Sequence, residues 1–452
     1  MGRIFGTDGA RGVANTEISC TLAMDIGRAA AMVVSQEKRR EHPTFLVGSD
    51  TRISRFMLIN ALAAGLCSVG ANVVLVGVVP TPAMAFLVKN LEADGAIMLS
   101  ASHNPYEFNG IKIFGSDGYK LTDEQEFTIE EIVLDHVLPY DLKWNDQLGV
   151  VIENFKAVER YINHIVHTVD GDLSGLRILV DCANGSASRT AARIFDKLGA
   201  DAMVINNSPD GTNINDHCGS TYIEDFAKQV VENECDLGVA FDGDADRCLA
   251  VDHTGKVVDG DQIIAMLAMY LKKQGKLEAN TAVVTVMSNM GFFKFAKENG
   301  IHVETTKVGD RYVLERMREH NYAIGGEQSG HIIMKEYMTT GDGQLTAVQL
   351  LHLLKEEGIS LAEAASVMTV YPQTMINVRA DKTMKKQVQV DEGVQQEVKK
   401  WEDILGDDGR ILLRPSGTEP VIRVMVEGMD EKLINDCAKA IAQTIEERLA
   451  YK

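Results

Sequence analysis

Three stretches of this chain begin with alike apolar, strand-like runs: Phe45-Leu46-Val47-Gly48, Ile178-Leu179-Val180-Asp181 and Val283-Val284-Thr285-Val286. Each run leads into a turn rich in small polar residues and then a helical pattern. Each helix ends near a glycine that opens a second strand, at Gly70-Ala71-Asn72-Val73, Gly199-Ala200-Asp201-Ala202 and Gly300-Ile301-His302-Val303. Glycine just past a helix end is the usual C-cap residue. A third strand follows in each: Ala96-Ile97-Met98-Leu99, Leu237-Gly238-Val239-Ala240-Phe241 and Tyr322-Ala323-Ile324-Gly325. Strand, helix, strand, helix, strand repeated three times predicts three similar α/β domains with mixed or parallel sheets.

At 452 residues the chain exceeds what one hydrophobic core supports. Breaks in the pattern near 139–154, at His253-Thr254-Gly255-Lys256 and at Tyr371-Pro372 divide it into 1–153, 154–255, 256–369 and 370–452. The last segment reads as a smaller α+β domain: a strand over 374–379, a helix over 382–401, a strand over 409–413, a loop, a strand and a final helix. From Phe56 to Val88 no residue is charged. Gly70-Ala71-Asn72 and Pro80-Thr81-Pro82 interrupt that stretch, so helix, buried strand and helix explain it better than a membrane span. The net charge of −20 opposes long-range attraction to nucleic acid or anionic membrane, so neither is an expected partner. Seven scattered cysteines without a Cys-x-x-Cys pair suit reduced thiols, and no signal peptide is visible; both predict a cytoplasmic protein.

Chemistry concentrates in the loops after the three third strands. The first is Ser100-Ala101-Ser102-His103-Asn104-Pro105, running on to Lys112; the second is Asp242-Gly243-Asp244-Ala245-Asp246-Arg247; the third is Gly326-Glu327-Gln328-Ser329-Gly330-His331. Equivalent loops with three sets of polar groups suggest one shared cleft. In an extended segment Asp242, Asp244 and Asp246 would face the same way, and like charges so placed call for a cation. Hard oxygen ligands point to Mg²⁺ or Ca²⁺. An EF-hand fails on spacing, since Arg247 stands where glycine and His253 where glutamate are needed. Arg247 itself reads as a phosphate partner.

Ser102 lacks the Gly-x-Ser-x-Gly elbow of a hydrolase, and His103 is poorly placed to take its own neighbour's proton. Walker and protein-kinase signatures are missing too. A serine beside a three-carboxylate metal loop fits phosphoryl transfer through a covalent phosphoserine. In the tail, Arg414-Pro415-Ser416-Gly417-Thr418-Glu419-Pro420 with Arg423 has the composition of a phosphate cradle.

Together with Phe5-Gly6-Thr7-Asp8-Gly9-Ala10-Arg11-Gly12 and Thr340-Gly341-Asp342-Gly343, these loops resemble the α-D-phosphohexomutase family, in the family's order and along the whole chain. The resemblance implies four domains around a central cleft. It implies interconversion of glucosamine 6-phosphate and glucosamine 1-phosphate, toward UDP-N-acetylglucosamine and the bacterial cell wall. Mannose or glucose phosphates are the alternative substrates, and relatives acting on them often carry Met at the position of Gln328. Ser102 would carry the phosphate, and Mg²⁺ would sit on Asp242, Asp244, Asp246 and the phosphoserine oxygen. Arg11, His103, Lys112 and Arg247 would serve the transfer. Glu327 and Ser329, with His331 close by, would grip the sugar. Arg414, Ser416, Gly417, Thr418 and Arg423 would hold the phosphate not being transferred. A bisphosphorylated sugar would be the intermediate that primes the enzyme, and a homodimer is plausible by resemblance. A phosphosugar-binding protein without catalysis and a Mg²⁺-dependent phosphatase are the competing classes.

Overall fold

The computed structural model of the protein describes residues 2–6, 8–34, 40–416 and 420–449. One compact unit runs to Met287 and resumes over Asn299–Val367; a second takes Ser288–Glu298 and the chain from Met368 on.

The first unit carries three sheets. One holds β1 (Phe5–Gly6), β2 (Gly9–Val13), β3 (Thr44–Ser49), β4 (Asn72–Val78), β5 (Gly95–Leu99), β6 (Phe108–Gly115) and β7 (Val151–Glu153), ordered β1-β2-β6-β5-β3-β4-β7. The next holds β8 (Arg177–Asp181), β9 (Asp201–Ile205), β10 (Leu237–Phe241), β11 (Cys248–Asp252) and β12 (Val257–Val258), ordered β12-β11-β10-β8-β9. The third is β13 (Thr281–Thr285), β14 (His302–Thr306), β15 (Ile324–Gly326) and β16 (Ile332–Met334), ordered β14-β13-β15-β16.

The repeat read from the sequence is therefore a repeat of topology. In each sheet the first strand of the repeat lies between the second and third and runs parallel to both. A fourth strand, which the sequence pattern did not announce, then returns antiparallel beside the third: β6 on β5, β11 on β10, β16 on β15. Its arrival makes each chemistry-bearing loop the tip of a hairpin at the carboxyl end of a buried strand. Strands β5, β10 and β13 are buried at every residue, which is why they read as continuous apolar runs rather than alternating ones. The uncharged stretch resolves into the helix Arg55–Ser68, β4 and the helix Thr81–Asn90. No described helix is long and apolar enough to cross a membrane.

The second unit is the α+β tail, with β17 (Gln373–Arg379), β18 (Gly409–Pro415) and β19 (Val421–Gly428) in an antiparallel sheet ordered β17-β19-β18. Two features differ from the sequence expectation. The single helix expected over 382–401 is two, Lys382–Gln387 and Glu392–Leu405, because Asp391 starts a new N-cap by accepting from Val394 N at 2.9 Å. The helix Met290–Glu298 packs with the tail rather than with its neighbours in sequence. Asn289 and Tyr371 exchange two hydrogen bonds of 3.0 Å, Lys294 reaches Asp408 at 2.7 Å, and Arg410 donates to Ser288 O at 2.8 Å.

Candidate active site

The acidic loop joins β10 to β11 as a tight turn, not the extended segment expected from its alternation. Ala245 N closes on Asp242 O at 3.0 Å, and Ala245 holds φ 57°, a left-handed conformation uncommon for a residue with a side chain. The three carboxylates converge because the chain folds back on itself. One ligand oxygen from each of Asp242, Asp244 and Asp246 lies within 4.8 Å of the others, and all three residues are buried. Asp244 Oδ1 and Asp246 Oδ1 are buried without a hydrogen-bond partner. An all-oxygen cluster with unpaired lone pairs fits a hard divalent cation such as Mg²⁺. Burial first, then the charges of Asp246 and Asp244, push the Asp242 carboxyl well above its ordinary value.

The serine loop joins β5 to β6 and meets this turn directly. Ser102 Oγ donates to Asp242 Oδ2 at 2.6 Å. Ser102, too, is left-handed, at φ 50°. Gly243 makes the approach feasible, since a Cβ there would lie 2.6 Å from Ser102 O. The loop rests on a buried platform that the sequence reading did not single out. Ser102 N donates to Ser100 Oγ (3.0 Å), and Ser100 Oγ to Asp50 Oδ2 (2.6 Å). Asp50 pairs with Arg52 at 2.8 Å, both fully buried. The Arg52 guanidinium donates onward to the carbonyls of Ser102 (3.0 Å), Asn104 (2.8 Å) and Pro105, and Asn215 Nδ2 reaches the first two at 2.9 and 3.0 Å. A detectable signal existed: Ser49-Asp50-Thr51-Arg52 closes β3 just as the serine loop closes β5.

Cations crowd the same point. Lys112, buried on β6, lies 2.8 Å from Asp8, 2.8 Å from Asp244 and 3.5 Å from Asp246. Burial opposes its charge, yet Asp244, Asp8 and Asp246 outweigh that and hold its pKa well above the ordinary lysine value. Arg11 donates to Asp8 (3.0 Å) and Asn104 (3.1 Å). Arg247 keeps its Nε without a hydrogen bond, 3.9 Å from Asp246. His103 Nδ1 stands 3.4 Å from Ser102 Oγ. Burial, then the Arg247 and Arg11 guanidiniums, lower His103 to about 4, so its imidazole is neutral at neutral pH.

The third loop joins β15 to β16 and is tied to the acidic loop by a backbone bridge between Arg247 and His331. Cys248 N donates to Gly330 O at 3.0 Å, and Gly330 sits at φ 90°, where a Cβ would meet Cys248 O at 2.3 Å. Expected beside the sugar, His331 is instead buried, with Nδ1 3.7 Å from Asp246, Nε2 3.7 Å from Asp310, and Gly341 N donating to Nε2 at 3.2 Å. Ser329 is exposed; Glu327 accepts from Gly309 N at 3.0 Å, and its charge is felt by Arg247. Gln328 directs its amide to Asp259 Oδ2 (3.0 Å), the N-cap of the helix Gly260–Lys273. Lys120, bonded to both Asp8 and Asp310, links the first and third domains; nothing in its local sequence marks it.

Asp342, N-cap of the helix Gly343–Glu357, accepts from Gln344 N, Leu345 N and Tyr161 Oη, each at 3.0 Å. Burial nevertheless raises its carboxyl to about 7. The folded value lies above the unfolded one, so this group's contribution falls as pH rises from about 4 through 7. Asparagine also caps helices and does not titrate. Asp342→Asn should therefore gain stability relative to the parent between about pH 5 and pH 8. Urea midpoints read this, and a difference that stays flat or shrinks would contradict it.

In the second unit, Arg414 of β18 stands opposite Arg423 of β19. Ser416 follows, buried, with Lys385 Nζ on its carbonyl at 2.6 Å, a cation the sequence reading missed. Gly417 and Thr418 lie outside the described residues.

This arrangement has counterparts among known proteins. Models of the phosphoglucomutase/phosphomannomutase family match in chain order: alpha/beta/alpha domain I over residues 2–137, domain II over 159–255, domain III over 259–371 and the C-terminal domain over 375–444. Fold and matches together define an isomerase of the mutase class. The phosphoglucosamine mutase of Acetivibrio thermocellus is 52% identical over 449 residues, covering 99% of this chain and all of the relative. That of Caldicellulosiruptor bescii is 51% identical over the whole of both. Among solved structures, a phosphoglucomutase/phosphomannomutase family protein from Burkholderia thailandensis has a TM-score of 0.82 at 24% identity, covering 99% of this chain and 98% of that one. Parafusin, a phosphoglucomutase from Paramecium, has a TM-score of 0.76 at 16% identity, covering 99% and 95%. The chain belongs to the phosphoglucomutase/phosphomannomutase family.

Proposed function

We propose that the protein interconverts glucosamine 6-phosphate and glucosamine 1-phosphate through a phosphoserine at Ser102. The observation that carries this is Ser102 Oγ, held on Asp242 within a buried three-carboxylate cluster and beside a buried lysine. The substrate follows from the phosphoglucosamine mutases that are about half identical to the whole chain. The product would feed UDP-N-acetylglucosamine and cell-wall synthesis, and the division at 1–153, 154–255, 256–369 and 370–452 gives each loop its own domain.

Each half-reaction forms one P–O bond and breaks another. The sugar's free hydroxyl attacks phosphoserine phosphorus while the bond to Ser102 Oγ breaks, leaving a bisphosphorylated sugar. The sugar then turns over, and Ser102 Oγ takes the other phosphate, completing the isomerisation and restoring the phosphoserine. We assign His103 the task of taking the hydroxyl proton and passing it to the Ser102 oxygen as its bond to phosphorus breaks, a role its Nδ1 supports by lying 3.4 Å from that oxygen. Lys112, kept charged by Asp8 and Asp244, neutralises phosphoryl oxygens together with Arg11 and Arg247. Asp242, Asp244 and Asp246 would hold Mg²⁺, which supplies further charge neutralisation at the transferring phosphate. Glu327 and Ser329 grip the sugar hydroxyls, while His331 acts one step back by fixing Asp246. Arg414, Ser416, Gly417, Thr418 and Arg423 hold the second phosphate.

The sister reading, mannose or glucose phosphates, turns on the third loop, where Gln328 is tethered to Asp259 and so shapes the loop that carries Glu327 and Ser329. Comparing kcat/KM across glucosamine, glucose and mannose 6-phosphates decides between them. We expect glucosamine 6-phosphate to lead by at least about tenfold, about 1.4 kcal/mol in transition-state binding. A lead for mannose would sink the assignment, and release of inorganic phosphate matching substrate loss would make the protein a phosphatase.

A further inference from the structure

A second cavity lies on the seam between the first two α/β domains, and no residue given a catalytic role above lines it. Its volume is about 740 Å³, and a smaller pocket of about 200 Å³ shares Arg55, Phe56, Val78 and Arg189 with it. The wall comes from the carboxyl ends of β3 and β4, the first turn of the helix Arg55–Ser68 and the turn Ser186–Arg189.

Three features of this wall are unexplained by folding. Arg55 and Arg189 are close enough that the second charge, after burial itself, lowers the pKa of the first. Neither donates a side-chain hydrogen bond or forms an ion pair among the described residues; Arg55 lies over the Phe56 ring at 4.2 Å and feels Asp50 only as a charge already committed to Arg52. Two guanidiniums facing one cavity call for an anion, since Asp210, which lines the smaller pocket with them, pairs with neither and accepts instead from Thr212 and Asn213. Arg193 is already paired with Glu159, and Glu153 lines the rim without pairing either arginine. Second, Ser49 and Ser188 belong to the cavity wall, and their hydroxyls are closed to solvent and without a partner. Buried hydroxyls are almost always satisfied, so these two mark a wall that folding alone leaves incomplete. Third, Phe56 and Phe155 flank the opening at 61% and 54% exposure. Exposed phenyl faces beside an anion site suit a planar ring.

We propose that this cavity binds a nucleotide, with phosphate on Arg55 and Arg189 and the base against Phe56 and Phe155. The combined space is of the order that such ligands fill. The site is independent of the reaction assigned to Ser102. Its floor is nonetheless continuous with the platform under the serine loop, because Ser49 is the residue before Asp50.

Calorimetric titration of the full chain tests this, with ADP and UDP as probes and adenosine and inorganic phosphate as the half-ligands. Binding of at least one nucleotide with Kd below about 1 mM is expected, tighter than either half-ligand. The double variant Arg55→Gln/Arg189→Gln should weaken it at least about tenfold and leave mutase turnover unchanged. Phe56→Ala should weaken the nucleotide but not phosphate, and Arg247→Gln, in the catalytic site, should leave binding intact. No heat up to about 5 mM nucleotide would overturn the proposal. So would binding lost in Arg247→Gln but kept in the double variant. Inorganic phosphate binding as tightly as ADP would reduce the site to an anion hole and overturn the nucleotide assignment.

Discussion

Ser102→Ala is expected to abolish mutase turnover, a loss on the order of 10³-fold or more, with the fold intact. The nucleophile cannot be replaced by a neighbour. Ser100 is the only other serine on this loop, and its Oγ is committed, donating to Asp50 and accepting from Ser102 N. Removing the Ser102 hydroxyl costs one hydrogen bond to Asp242, a carboxyl that its neighbours already push toward protonation, so little stability is lost. Intact mass gives a second readout. After incubation with a bisphosphorylated sugar the parent protein should carry one phosphate and the variant none. Retention of a tenth of the activity, or phosphate still found on the variant, would show that another group is the carrier.

The second large effect falls on Arg52, which touches no substrate in the proposed reaction. Arg52→Leu is expected to destabilise the first unit by about 3–5 kcal/mol, the usual consequence of leaving a buried charge without its partner. Asp50 would remain buried without its cationic partner, and the carbonyls of Ser102, Asn104 and Pro105 would lose a shared donor. Activity of the fraction that folds should fall as well, because those carbonyls set the strained geometry at Ser102. Adding Asp50→Asn should return part of the stability, since it removes the orphaned charge, without restoring the loop. Double-mutant analysis of urea unfolding separates the two contributions. If Arg52→Leu costs less than about 1 kcal/mol, or if Asp50→Asn brings activity back, the platform is not what positions the serine.

Much of this was legible in the chain. Buried parallel strands must be apolar throughout, so the runs that begin and end each repeat were visible as such, and the loops they deliver could be compared. The acidic loop was found for a reason that proved incomplete. Alternation along an extended segment would have brought Asp242, Asp244 and Asp246 to one side, but a turn with Ala245 left-handed does so instead. Of the fourth strands, β16 was missed because three residues are too few to show a period, and β6 because it is buried along nearly its whole length and shows no alternation. Asp8, Lys120 and Asp310 were missed for a different reason. They meet as charges on separate domains, and no local pattern records a partner more than a hundred residues away.

By itself, then, the sequence determined the threefold α/β repeat, the separate α+β tail, the serine on one loop and the three carboxylates on another. These follow from periodicity, turn residues and residue type, which act over a few positions of chain. Only the tertiary structure decided that Ser102 donates to Asp242, that Lys112 stays charged between Asp244 and Asp8, and that His331 lies buried beside Asp246. Those outcomes depend on burial and on charges brought together from distant parts of the chain, and both exist only once the sheets have packed.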